Sequence, residues 1–112
     1  AAAAICSVRG GSKEQMGHAC AMALKNLMGL VCDPVAGLVE VPCVKRNVGG
    51  AVNALAAADM ALAGIASHIP VDQVIDAMGE VGMKMDVSLR ETSMGGVATS
   101  PKGLEIAERL GM

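Results

Sequence analysis

Val44-Lys45-Arg46-Asn47-Val48-Gly49-Gly50-Ala51-Val52-Asn53-Ala54-Leu55-Ala56-Ala57-Ala58-Asp59-Met60-Ala61-Leu62-Ala63-Gly64-Ile65-Ala66 is the stretch that decides the fold. Gly49, Gly50, Ala51, Ala54, Ala57, Ala58, Ala61 and Gly64 are small residues recurring at helical spacing. A glycine inside a helix costs about 1 kcal/mol relative to alanine, so its presence needs a reason. Close packing of helix on helix, or of backbone on a bound group, supplies one. The stretch reads as a central helix, and the chain as all-α, a bundle or layered array of helices.

Downstream, Pro70 opens a further helix from Val71 to about Met83, with Val71, Val74, Ile75, Met78 and Val81 facing inward. A short turn over 84–90 and a loop at Thr92-Ser93-Met94-Gly95-Gly96 follow. Ser100-Pro101 then starts a last helix over 102–110, with serine as N-cap and proline in the first helical position. Upstream, residues 1–9 read as a helix closed by Gly10-Gly11. Ser12 with Gln15 makes a capping-box pattern. The helix it begins puts Met16, Cys20, Ala23, Leu24, Leu27 and Met28 on one face and stops near Gly29. The expectation is one domain over residues 1–112, about five helices with an irregular cysteine-bearing loop.

Composition narrows the function. The chain has 112 residues, 9 Met, 14 Gly and no Phe, Tyr or Trp. Apolar volume must come from aliphatic side chains and methionine, which suits closely approaching helices better than a β-sandwich. A small aromatic-free domain also buries little apolar area alone, so contact with a partner chain and an oligomeric state are expected. Net charge is −2, with no basic stripe and no aromatic for base stacking, which argues against nucleic-acid binding. Residues 48–71 are long and apolar enough to raise a membrane span, but Asp59, Asn53 and His68 interrupt them. A buried helix without membrane contact is the better reading. No signal-peptide pattern precedes the fold, and an opening alanine run without an initiator Met reads as entry into a helix midway. The expectation is a fragment of a longer cytoplasmic protein with reduced thiols.

The 4 cysteines differ in setting. Cys6 and Cys20 fall on apolar helix faces and read as core. Cys32 and Cys43 bracket 10 residues, with Pro34 and Pro42 beside them and Gly37 between. Asp33 is pushed out of the helical region by Pro34 and suits a turn in which its carboxylate accepts backbone N–H groups. A ligand or redox role, plain packing and a disulfide all remain open for this pair. Zinc is disfavoured, because neither the cysteines nor His18 and His68 have the usual short ligand spacing. His18 reads as a helix-surface side chain and His68 as a helix-end one.

The run Gly29-Leu30-Val31-Cys32-Asp33-Pro34-Val35-Ala36-Gly37-Leu38-Val39-Glu40-Val41-Pro42-Cys43-Val44-Lys45-Arg46-Asn47 closely resembles the cluster loop of bacterial iron–sulfur-dependent L-serine dehydratases, in the α subunit or the equivalent domain of one-chain forms. Arg90-Glu91-Thr92-Ser93-Met94-Gly95-Gly96 resembles the second signature of that family, and the likeness covers essentially the whole chain. It implies β-elimination of L-serine to pyruvate and ammonia on a [4Fe–4S] cluster. Three cysteines hold the cluster, and the iron without a thiolate acts as Lewis acid toward the leaving hydroxide. Carried over, Cys32 and Cys43 are two of the ligands. The third lies in a Gly-Cys motif upstream, which here falls before Ala1. No catalytic residue is assigned within this chain, so the fragment by itself is expected to be inactive. Arg46 and Asn47 are candidates for holding the substrate carboxylate or the cluster, against a plainer role in loop hydrogen bonds. Arg90 and Glu91 are expected to form an ion pair that shapes the glycine turn. The implied partners are L-serine, the remaining α domain and a β subunit or domain. Two other readings stand beside this one: a helical packing module without chemistry, and a related iron–sulfur lyase acting on another small amino acid.

Overall fold

The computed structural model describes residues 1–112, with five α-helices and no strands. The helices are α1 (Ala2–Val8), α2 (Lys13–Leu27), α3 (Cys43–Leu62), α4 (Val71–Lys84) and α5 (Pro101–Arg109). Short 3₁₀ turns cover Val35–Gly37, Val87–Leu89 and Gly96–Thr99. The chain divides into two compact units, residues 1–29 with 49–83 and residues 30–48 with 84–112. No helix is long and apolar enough to cross a membrane.

The first unit is built on alanine. Its core is Ala2, Cys6, Ala19, Met22, Ala54, Ala57, Ala58 and Ala61, flanked by Ile5, Met16, Ala23, Met60 and Leu62. Methyl side chains let helix axes approach closely, so dispersion contacts are made backbone to backbone. The small-residue helix is therefore central, as its spacing predicts. The glycines act differently from the expectation. A Cβ built on Gly49 or Gly50 meets nothing within 4 Å, so neither is needed for close packing in this unit. Gly64 ends α3 instead. At φ +87 its N–H bonds to Ala61 O (3.0 Å), and the Ile65 N–H bonds to Met60 O (3.0 Å), which satisfies the last carbonyls.

Helix α1 closes the same way. Gly10 sits at φ +87, with bonds from Gly10 N to Ser7 O and from Gly11 N to Cys6 O (2.8 Å). A side chain on Gly11 would meet that carbonyl at 2.8 Å and a Leu62 methyl at 3.2 Å. Helix α2 starts on a complete capping box: Gln15 N donates to Ser12 Oγ (3.1 Å) and Ser12 N to Gln15 Oε1 (2.9 Å). Its buried line is Ala19, Ala21 and Met22, with Cys20, Leu24 and Leu27 half-buried at the margin. The expected face was centred on the larger residues, but helix–helix approach selects the smallest side chains for the line of closest contact. His18 is half-buried rather than on the surface, and its Nδ1 accepts the Ser67 N–H (3.2 Å). In α4, Val74 is buried and Val71, Met78 and Val81 half-buried, whereas Ile75 turns outward at 51% exposure.

The second unit has little apolar core. Helix α5 packs on the turns at Val35–Gly37 and Gly96–Thr99. Ser100 caps it by accepting from Gly103 N (3.2 Å), and Pro101 occupies its first turn. Gly103 is buried, where a Cβ would meet Ala98 O at 2.7 Å.

Ala58 has no exposed surface. Ala58→Leu should lower stability by about 1–3 kcal/mol through overpacking, whereas Ala56→Leu, on the exposed side of the same helix, should stay within about 0.5 kcal/mol. The check is a pair of urea unfolding curves; equal midpoints would contradict a tight alanine core.

Candidate functional site

The cysteine loop and the segment 87–97 belong to the same unit, and they are joined by a ladder of short bonds. Cys32 and Arg90 form an isolated parallel bridge: Cys32 N donates to Leu89 O (2.9 Å), and Glu91 N donates to Cys32 O (2.7 Å). The Ser93 hydroxyl donates to Pro34 O (2.6 Å) and accepts from Gly37 N (3.0 Å), clasping both ends of the 3₁₀ turn. Val35 N donates to Val41 O (2.9 Å), which folds the loop back on itself. Cys43 is the first residue of α3, so one thiol sits on a bridged strand residue and the other on a helix start.

Several residues here hold left-handed backbone. Ala36 (φ 55), Glu91 (φ 66) and Ser93 (φ 57) do so without being glycine. Such conformations cost of order 1 kcal/mol or more each and persist only where surrounding bonds impose them. The Ser93 clasp and the Cys32 bridge are those bonds.

Asp33 is the centre of the arrangement. Only 1% of it is exposed. Its Oδ1 accepts from the Arg46 guanidinium (2.5 Å), and its Oδ2 accepts from Val97 N (2.6 Å). The same Arg46 nitrogen donates to Val31 O (3.0 Å). Burial pushes the Asp33 carboxyl up, but the Arg46 hydrogen bond, the Val97 amide and the Arg46 charge outweigh it and hold the group below its ordinary value. Gly96 is at φ +62, and a Cβ there would meet Asp33 Cβ and Cγ at 2.7 Å. Glycine is needed at that position both for conformation and for space. The expectation that Asp33 accepts backbone N–H is met by a residue far along the chain, not by its own turn.

The Cys32 thiol is pushed up by burial first, then by the negative charges of Glu91, Cys43 and Asp33, with Arg46 opposing. Both loop thiols are free and half-buried. Cys6 lies in the alanine core, and Cys20 lines an apolar cavity of about 220 Å³ with Leu24, Leu27 and Asn53. Asn47 is exposed on the second turn of α3. Arg90 and Glu91 form no ion pair. The Glu91 N–H is committed to Cys32 O and the Arg90 N–H to Val87 O, and Glu91 takes the left-handed conformation at that bridge. Reading the residues did not find the roles of Ser93, Gly96 and Val97. The only signal was the small-residue run 92–96.

The thiols of Cys32 and Cys43 are soft donors of the kind that ligate iron–sulfur clusters. No cluster of three or more His, Cys, Asp or Glu side chains in residues 1–112 is arranged to hold a metal ion. The family described as "Serine dehydratase alpha chain" matches residues 1–98.

The chain belongs to the serine dehydratase alpha chain family.

It is 61% identical over 110 residues to the probable L-serine dehydratase, alpha chain, of Bacillus subtilis, covering 98% of this chain and 37% of that one. The probable alpha chain of Latilactobacillus sakei is 59% identical, with 94% and 50% covered. The L-serine dehydratase alpha chain of Peptoniphilus asaccharolyticus is 52% identical, with 95% and 36% covered. The chain spans between about a third and a half of the length of these relatives. The family resemblance read from the two signatures is thereby established.

Two outcomes follow for this family member. Asp33→Asn should cost about 3 kcal/mol, the low end for breaking a buried ion pair, because the Arg46 side chain is 39% exposed. Amide exchange at Val97 would register it, and unchanged exchange would refute the tie. Because the folded carboxyl lies below its unfolded value, its stabilisation is complete above the ordinary carboxylate pKa and is lost as pH falls through the lower folded value. An acid titration of wild type against Asp33→Asn should therefore show the stability difference shrinking only on the acid side.

Proposed function

We propose that residues 1–112 are the portion of the cluster-binding α domain that supplies Cys32 and Cys43 as two ligands of a [4Fe–4S] cluster in an L-serine dehydratase, converting L-serine to pyruvate and ammonia by β-elimination. The observation that carries this reading is the clamped loop: two free, half-buried thiols, with the backbone and Asp33 beside the first held by Leu89, Glu91, Ser93 and Val97. A module whose cysteines only fill space has no use for half-buried thiols on a strained, multiply bonded loop.

When bound, the cluster supplies an open iron as Lewis acid toward the substrate's carboxylate and hydroxyl. The chain's own residues do the holding. Cys32 is fixed by two backbone bonds, and Cys43 by the start of α3. Burial and the surrounding negative charges disfavour a bare thiolate at Cys32, so a cationic partner is the natural stabiliser of its deprotonated form. The exposure of Asn47, four residues after Cys43, supports a role toward the substrate carboxylate. Leu38, Val39, Val41, Val44 and Val48 expose apolar surface at between 39% and 64% on the same unit. That surface supports contact with the rest of the α chain, a β subunit or domain, and an oligomer. Four free cysteines support a reducing, cytoplasmic setting.

In the intact enzyme, Cys32→Ser and Cys43→Ser should each remove the cluster and turnover. Their effect should exceed the roughly 100-fold loss typical of altering an outer partner of a ligand. Cys20→Ser should retain both. Iron and sulfide content, with pyruvate formation, decides it; turnover surviving in either loop variant would sink the assignment.

A further inference from the structure

Arg46 was a candidate for the substrate carboxylate, but one nitrogen of its guanidinium, Nη1, is already engaged. It donates to Asp33 Oδ1 and to Val31 O, the carbonyl just before Cys32. It also stands in the first turn of the helix that Cys43 begins. One side chain therefore joins the backbone on the near side of the first thiol to the helix that carries the second. Asp33, in turn, passes the tie to Val97 N, and Gly96 leaves the space for it. Nothing else in the unit spans 31–33 and 43–46 directly: the remaining bonds of the loop run from 32–37 to 89–93, or stay within 34–46.

We propose that Arg46, acting through Asp33, is a positioning residue that sets the spacing of Cys32 and Cys43, and that it is not the group that binds the substrate carboxylate. This rests on the reading of the two thiols as cluster ligands. An arginine at this place suits the task, because its fork meets a carboxylate and a carbonyl at once while keeping its charge at any working pH. Its charge also compensates a buried carboxylate that would otherwise stand alone in the loop. Asn47, the next residue of α3 and exposed, then becomes the candidate for the substrate carboxylate.

The test uses the full-length enzyme with Arg46→Met, Arg46→Lys and Asp33→Asn. Wild-type and variant enzymes are loaded with cluster, and its loss to a chelator is timed. Arg46→Met and Asp33→Asn should each lose cluster about 10- to 100-fold faster, the range for outer partners of metal ligands. Arg46→Lys should fall between them and wild type. The KM for L-serine of the cluster-loaded fraction should stay within about twofold, since a group outside the substrate contacts removes no substrate binding energy. A tenfold or greater rise in KM with normal cluster retention would overturn the proposal and return Arg46 to the substrate. A second measurement needs no iron: amide exchange in the cluster-free enzyme. Arg46→Met should speed exchange at Cys32 and Val97 by tenfold or more while the amides of α2 keep their protection. Unchanged exchange at both positions would overturn the spacing role whatever the cluster does. If wild-type enzyme holds no iron at all, the ligand reading fails, and the exchange data still decide whether Arg46 fixes the loop.

Discussion

The buried carboxylate of Asp33 is the constraint on which the cysteine loop depends. A carboxylate with 1% of its surface exposed is tolerated only when its charge is matched and its oxygens are bonded. Here one oxygen takes Arg46 and the other takes the Val97 amide. Those two partners come from different directions along the chain, one from the start of α3 and one from the turn after Gly95-Gly96. Satisfying one acid therefore fixes three segments. The left-handed residues Ala36, Glu91 and Ser93 are affordable because this tie and the Ser93 clasp already hold the backbone.

The two units solve the same problem by different physics. Residues 1–29 with 49–83 gain stability from apolar contact between alanine-lined helices, capped at both ends by local motifs. Residues 30–48 with 84–112 have few buried apolar side chains and rely on specific hydrogen bonds among turns. Hydrogen bonds are directional and lose strength over tenths of an ångström. A bonded loop therefore places atoms more narrowly than an apolar contact does.

Much of this was legible in the residues. Small residues every third or fourth position, Ser12 with Gln15, the Gly10 stop and Ser100-Pro101 are local signals, and the five helices follow them, although α3 ends at Leu62 before Gly64 and not at Ala66. The family was legible too, because its two signatures are contiguous. What was not legible was partnership. The carboxylate of Asp33 accepts from Val97, and the hydroxyl of Ser93 bonds Pro34, across separations that no periodicity reports. The expected ion pair of Arg90 with Glu91 failed for the same reason: neighbours in sequence were drawn apart by a bridge to Cys32. The inward face of α2 was read from side-chain size, whereas the packing used its alanines.

The sequence by itself determined the helices, their ends and the identity of the two thiols, since propensity, capping and motif act over a few neighbouring residues. Only the tertiary structure decided that Arg46 serves Asp33, that Gly96 yields its space to a carboxylate, and that Cys32 is bridged to the segment 89–91. Those outcomes depend on distances between segments far apart in the chain. Such distances are set when a buried charge must find its partners, and not before.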